Sequence, residues 1–495
     1  MAQIEFIDQT LRDGQQSLWG MRMRAYQATP ALPHINRTGF RVVDLTGGTF
    51  FVVMLRESGD DPWAALDHIV AGLPDVQRRA GMRPVAVGSF GFVPDSMLDL
   101  WVATLVKHGI QTHWLFDCLY DMPLMKAKAE AIQRVGGEVV PAIMYGLTDL
   151  HTDEFFADRA REMASWPGVR TIYVEDAPGV LTPERARTLL PALQAATGDV
   201  RLELHVHNTT GLAPLVYVEG IEAGIDIIHT CSLPLANGPS LPSTEAMVEI
   251  VEERGHSHGL DKAQLPPVAA HFAREARRLD WALGVPNEYR TMPYRHQLPG
   301  GMTGTLINQL NEYGMPERFG QVIDEIVRVR EELGQPIMAT PFSQFVGIQA
   351  VLNVVLAERY EVVPDEVLHY ALGHYGPLMR PVEPHVADKI FSQPRVKDLE
   401  GWERDQTSLE EFRRRLGTDL SDEELLLRYF CPEEQVDKML AGPPLRTEPA
   451  PPASGIGEQL TQLIEQAATR PVSHISLSLP GIKLDLRRDR NGDHA

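Results

Sequence analysis

The chain has 495 residues, 43% of them hydrophobic, and a formal net charge of -21 from 46 basic against 67 acidic side chains. That length accommodates one domain of roughly 200 to 300 residues plus smaller additions, and an acidic excess of this size repels phosphate backbones and anionic lipid, which argues against nucleic-acid or membrane partners. No apolar run reaches the roughly 20 residues that span a bilayer, no basic segment leads into an apolar stretch at the N-terminus, and Cys118, Cys231 and Cys431 are too few and scattered for a disulfide framework, so a cytoplasmic protein with buried thiols is expected.

From the N-terminus to about residue 300, short β-branched runs alternate with amphipathic stretches. "IEFID", "RVVDL", "VAVGSF", "HWLFD", "VVPAIMY", "TIYVED", "RLELHVH" and "IDIIHT" read as strands. Most are followed by a helical pattern such as "SMLDLWVATLVKHG" or "PLMKAKAEAIQRVGG". Eight such strands predict an α/β fold, a (β/α)8 TIM barrel over residues 1–300. Polar chemistry collects at the strand ends: Asp8 with Arg12 and Asp13 just beyond it, then Asp44, Asp117, Glu175, Asp176, His205, His207 and His229. A barrel gathers its active site where those ends converge.

Beyond Gly300 the pattern turns helical. "GGMTGTLINQLNEYG", "RFGQVIDEIVRVREELG" and "DEELLLRYFCPEEQVDKMLAG" space their apolar residues by three and four, which predicts a helical domain over the barrel mouth, residues 301–440. Residues 441–457, "AGPPLRTEPAPPASGIG", read as a Pro-rich linker. Residues 458–495 follow as a separate tail. It opens with a short amphipathic helix carrying Leu460, Leu463 and Ile464 on one side, then alternates Ile475, Leu477, Leu479, breaks at Pro480-Gly481, and resumes with Ile482, Leu484 and Leu486 as a β-hairpin. A lone hairpin is marginal in water, so the tail is expected to bind a partner.

Residues two apart on a strand point the same way, so "HVH" aims His205 and His207 at one point. With Asp13 they would make a two-His, one-carboxylate site for a divalent metal of the Zn, Mn or Co class. A pair of surface or hydrogen-bonded core histidines is the competing reading, and the neighbouring acids favour the metal. Arg12 reads either as a rim salt bridge or as a fixed cation for an enolate or oxyanion. Thr340, in "ATPFSQ", reads as the N-cap of the helix that Pro341 opens.

"DQTLRDGQQSLWGMRMR", "HVHNTTGLA", "PLANGPSLPSTEAMV", "RHQLPGGMTGTLINQL" and "ATPFSQFVGIQAVLNVV", spread in order from about residue 3 to about residue 440, resemble the carboxyltransferase domain of pyruvate carboxylase, the oxaloacetate decarboxylase α subunit and the transcarboxylase pyruvate-side subunit. These belong to a superfamily of metal-dependent lyases. The resemblance implies that Asp13, His205 and His207 bind the metal, Arg12 stabilises the enolate, Gln16 sits beside the substrate, and Thr340 shuttles a proton between biotin and the enol. It also exposes departures. Glu175, in "EDAPG", stands where the family has a carboxylated lysine on the metal; it carries the same charge on a chain about 3 to 4 Å shorter, so a direct ligand bond needs a backbone shift or a bridging water.

Trp114, in "HWLFD", stands where the family has an arginine that clamps the substrate carboxylate, and His229 replaces an aspartate. An indole cannot clamp an anion. Trp114 and Tyr145 are candidate substrate-binding residues, and the substrate's tail is expected to pack on the indole. Pyruvate and oxaloacetate turn over weakly on this reading unless another cation, Arg295 or Lys126, replaces the clamp. The tail resembles the helix and hairpin preceding the linker of a biotin carboxyl carrier protein, and no Ala-Met-Lys-Met biotin-attachment sequence occurs. Biotin is therefore expected on a separate carrier protein, with a biotin carboxylase subunit and homo-oligomerisation as further expectations. A biotin-independent lyase or aldolase and a non-catalytic scaffold subunit remain the alternatives.

Overall fold

In the computed structural model of the chain, residues 2–88, 91–302, 306, 310–311 and 314–449 are described, together with the backbone of 474–479 and 482–487. Eight parallel strands form a closed barrel: β1 Gln3–Asp8, β2 Val42–Gly47, β3 Gln77–Met82, β4 Thr112–Leu115, β5 Glu138–Met144, β6 Thr171–Asp176, β7 Arg201–Val206 and β8 Ile227–Thr230. Closure occurs at β1, where Ile7 lies opposite Val42 of β2 and Glu5 opposite Ile227 of β8. A two-residue strand, β9 Ser257–His258, lies against the start of β1. Parallel neighbours require long crossovers, and the crossover helices cover the outside of the barrel.

Those helices start where local chemistry dictates. Asp121 accepts from Leu124 N to open Met122–Arg134, Thr152 from Phe155 N to open Asp153–Ala164, and Thr182 from Arg185 N to open Pro183–Thr197. Each side chain satisfies an amide that the helix itself leaves unpaired. Along Met122–Arg134 the buried residues include Met122, Met125, Ala129 and Ile132, three or four apart, so a single stripe packs on the barrel.

One strand lies elsewhere than its pattern predicts. β3 is "QRRAGM", residues 77–82, and of "VAVGSF" the described residues 85–88 belong to the loop after it. The apolar periodicity misleads because β3 points Arg79 into the barrel, where it pairs with Glu203 of β7. Pleating then also turns Gly81 inward. A β-carbon at Gly81 would fall 2.3 Å from the Trp114 ring, so the strand must be locally bare to admit the indole.

The chain divides into two compact units, 1–447 and 448–495. In the first, Phe342–Val355 buries Phe342, Phe345, Val346 and Ala350 and sets Thr340 at its entrance. Of the helix expected in "GGMTGTLINQLNEYG", residues 303–305, 307–309 and 312–313 lie outside the described residues. In the second unit, His474–Leu479 (β10) and Ile482–Arg487 (β11) pair antiparallel, with Ile475 opposite Leu486 and Leu477 opposite Leu484. The tail helix expected around Leu460, Leu463 and Ile464 lies outside the described residues, as do linker residues 450–457. The three cysteines are buried and free. Among the described residues no helix is long and apolar enough to cross a membrane.

Candidate active site

"TLRDG" after β1 forms a wide π-helical turn, Thr10–Gly14, that runs into the short helix Gln15–Trp19. Such turns recur at functional sites because they displace side chains from the regular helical spacing. A β-carbon on Gly14 would meet Leu235 O at 2.9 Å, so glycine lets this turn close on the loop beyond β8. The two glutamines then divide. Gln15 donates to Leu11 O at 2.7 Å and accepts from Met23 N at 3.2 Å, bracing the loop, whereas Gln16 is exposed and lines the cavity.

Pleating puts Glu203, His205 and His207 on one inward face of β7. His205 Nε2 lies 3.6 Å and His207 Nε2 3.1 Å from Asp13 Oδ2. Among the described residues these three form the cluster that could hold a metal ion, their candidate ligand atoms within 4.8 Å of one another. His207 Nδ1 donates to Pro239 O at 2.7 Å, leaving Nε2 toward the carboxylate. Asp13 Oδ2, His205 Nε2 and Glu175 Oε2 are buried without a hydrogen bond of good geometry. Buried acceptors left in this state call for a cation. Burial alone would lower the His207 pKa, but the Asp13 carboxylate lifts it to about 9, which marks the same demand for positive charge.

Hydrogen bonding sorts the other strand-end acids. Asp117 accepts from Leu119 N at 3.2 Å and Asp121 N at 2.8 Å, and Asp176 from Gly179 N at 3.0 Å and Leu181 N at 2.6 Å, so both brace loops. Asp8 accepts from Thr10 Oγ1 at 2.6 Å and Asp44 from Gln9 Nε2 at 3.1 Å. Glu175 faces the cavity. It lies outside the cluster of three, and burial pushes its carboxyl up to about 7.

The cluster borders a cavity of ≈ 570 Å³ whose wall includes Arg12, Asp13, Trp114, Glu175, His207 and Thr340. Trp114 is 2% exposed and stacks with Tyr173 at 5.0 Å and with Phe116 at 4.8 Å. The Arg12 guanidinium lies 4.9 Å over the indole, a cation–π contact. Arg12 thus joins Tyr173 and Phe116 as an immediate neighbour of the ring.

Thr340 also differs from its local reading. The helix begins at Phe342 with no side-chain cap, and Thr340 Oγ1 accepts from Gln344 Nε2 at 3.0 Å, so the hydroxyl faces the cavity. Tyr145 lies outside the cavity wall: its ring packs 5.7 Å from Phe156 on the outer helix, because strand alternation turns Met144 inward instead. Neither suggested replacement clamp reaches the mouth. Lys126 is exposed on the helix Met122–Arg134, and exposed Arg295 pairs with Asp324 at 3.1 Å.

A cation missed in the sequence is Arg83, one residue past β3. It is buried and lines a side pocket of ≈ 80 Å³ shared with Arg12, Gly81, Trp114 and Thr340. Burial lowers its pKa to about 10. The signal was available in "RRAGMR", a buried strand that reads as polar, but nothing in its periodicity marks it.

Comparison with known proteins fits this geometry. Residues 294–440 match the conserved carboxylase domain model and residues 119–271 the HMGL-like model. A pyruvate carboxylase subunit of Methanocaldococcus jannaschii is 31% identical over 92% of this chain and 81% of its own length. The 2-oxoglutarate carboxylase large subunit of Hydrogenobacter thermophilus is 30% identical over 88% of this chain and 68% of its own length. The carboxyl transferase domain of Rhizobium etli pyruvate carboxylase, solved with pyruvate and biocytin, superposes with a TM-score of 0.79 at 25% identity, covering 89% of this chain and 77% of that one. With a closed barrel, the cluster at its mouth and relatives matched along most of their length in agreement, the chain belongs to the family of biotin-dependent carboxyltransferase subunits related to pyruvate carboxylase, and it is an enzyme of that class.

Proposed function

We propose that this protein moves a carboxyl group between carboxybiotin and the enolate of a 2-oxo acid of the pyruvate or 2-oxoglutarate type. The observation that carries the reading is the Asp13–His205–His207 cluster at a cavity whose wall also holds Arg12 and Thr340. Asp13, His205 and His207 would hold a divalent Zn, Mn or Co ion, with the Glu175 carboxyl facing the same cavity; when bound, the ion would supply Lewis-acid polarisation of the oxo group. Arg12, kept charged by Asp13 and Asp44 against the effect of burial, stabilises the developing enolate oxygen. Arg83 receives the substrate carboxylate in the side pocket. Thr340 Oγ1, fixed by Gln344, takes the proton lost from the substrate carbon while passing its own to the ureido nitrogen that gives up the carboxyl group. Gln16 lies beside the incoming group.

Relatives are named as parts of larger enzymes, among them a large subunit and a 5S subunit, which supports biotin arriving on a separate carrier protein, with a biotin carboxylase subunit as a further partner. Residues 458–488 are the proposed docking element for that assembly, and homo-oligomerisation accompanies it. The test is oxaloacetate and oxalosuccinate decarboxylation by the purified chain with and without biocytin, with metal analysis of the same sample. Biocytin-stimulated turnover and about one divalent ion per chain are expected. Turnover indifferent to biocytin would favour a biotin-independent lyase and overturn the proposal.

A further inference from the structure

The groups beneath the metal cluster form one continuous polar chain across the barrel axis. Arg79 Nη1 lies 2.5 Å from Glu203 Oε2, and Arg79 Nη2 lies 3.0 Å from Oε1. Glu203 Oε2 lies 3.2 Å from His229 Nε2. His229 Nδ1 lies 3.0 Å from Gln9 Nε2 and 3.2 Å from His205 Nδ1, and His205 Nδ1 lies 2.7 Å from the Tyr173 hydroxyl. Glu203, His205 and His229 are each 0% exposed, so protein groups must satisfy one another here.

Donor and acceptor capacity assigns the hydrogens. A carboxylate held by a guanidinium only accepts, so His229 Nε2 carries a hydrogen. Its Nδ1 lone pair then accepts from the Gln9 amide, whose other hydrogen goes to Asp44 Oδ2 at 3.1 Å. His205 Nδ1 faces that same lone pair, and a hydrogen on it satisfies that lone pair and is shared with the Tyr173 oxygen. The remaining lone pair of His205 sits on Nε2, the atom directed at Asp13. The opposite tautomer would oppose two lone pairs across 3.2 Å and turn an N–H toward the cation.

We propose that His229 is a positioning residue for the metal centre: backed by Glu203 and Arg79, it fixes the tautomer and ring plane of His205 so that Nε2 faces Asp13. The inference rests on the metal reading above. Partners of this kind, one bond removed from the ion, typically contribute 10- to 100-fold in metal affinity.

The test measures cobalt affinity of the full chain by chelator competition, together with the visible spectrum of the cobalt form. His229→Leu removes the acceptor and is expected to weaken binding about 10- to 100-fold and shift the d–d bands. His229→Asn, whose Oδ1 can replace Nδ1, is expected to recover most of that loss. Glu203→Gln preserves volume but leaves its oxygen to Arg79 and turns an amide N–H toward His229, reversing the His229 tautomer. Its affinity is expected to fall about tenfold with unchanged far-UV circular dichroism. Should His229→Leu fail to fold, Glu203→Gln carries the test. Native affinity and spectrum in the folded variants overturn the proposal alone; a native chain that binds no cobalt overturns the metal reading together with it.

Discussion

The two halves of the barrel mouth are built by different rules. On the β1–β7 side, His205 and His207 share a face through the simplest regularity a strand has, the alternation that turns residues two apart the same way, and the π-helical turn after β1 brings Asp13 to them. On the β3–β4 side, Arg79, Gly81 and Trp114 fit only as a set. The guanidinium is satisfied by Glu203 across the axis, and the indole occupies space that a β-carbon at residue 81 would fill. A cluster able to hold a metal needs few residues in fixed positions, whereas the opposite wall of the cavity depends on how several strands share volume.

The largest expected effect tests the metal half. His207→Ala should take metal content from about one ion per chain to near zero and lower turnover by about 10³-fold. Unchanged metal content would break the contrast, because the readable half of the site would then be misread.

Trp114→Arg probes the other half. If the indole merely filled the place of an anion clamp, arginine should raise activity toward pyruvate or oxaloacetate. The structure gives the opposite expectation: the new guanidinium would meet Arg12 and lose the stack with Tyr173 and Phe116, so kcat/KM should fall by about 100-fold. A gain in turnover would show that the wall is replaceable.

Arg83→Met sharpens the division further. Losing a buried charge-assisted contact to a carboxylate costs roughly 2 to 5 kcal/mol, so KM for the oxo acid should rise by about 30-fold or more while metal content stays native. A variant altered in metal content but not in KM would move Arg83 to the metal half.

The smallest effect concerns Asp8, behind both halves. Burial, reinforced by Glu245 and Asp44 against the hydrogen bonds from Thr10, raises its carboxyl to about 7 in the folded protein. Unfolded, it ionises near pH 4. Between these values the folded state holds a proton that the unfolded state has released, so this contribution to stability is full below about pH 4 and is lost as pH rises to 7. Asp8→Asn should flatten the decline of stability over that window by up to one proton, read from denaturant titrations at several pH values. An unchanged slope would place the charge elsewhere.

The (β/α)8 alternation, the convergence of Asp13, His205 and His207, and the cavity-lining positions of Arg12 and Gln16 were legible because each follows from local periodicity or from a motif whose spacing carries its own geometry. Glu175 was legible in type and its short reach is in keeping with its place outside the cluster. The strand "QRRAGM" was not legible, since its burial depends on Glu203, 124 residues away. Thr340 shows the same limit on a smaller scale. Its sequence neighbours predict a helix cap, while the packing of Phe342 and the reach of Gln344 turn its hydroxyl to the cavity. Tyr145 misled by one position, because a single step along a strand exchanges the inside for the outside.

Sequence alone determined which strands exist in outline, which residues converge as a candidate metal site and which family the chain joins, because those properties are written in spacings of two, three and four residues. Tertiary structure decided which buried charges neutralise one another, which acids brace loops and which face the cavity, and how Trp114 and Arg12 share one place. Those outcomes depend on volume and hydrogen-bonding capacity summed over strands distant in sequence, and no local pattern records that sum.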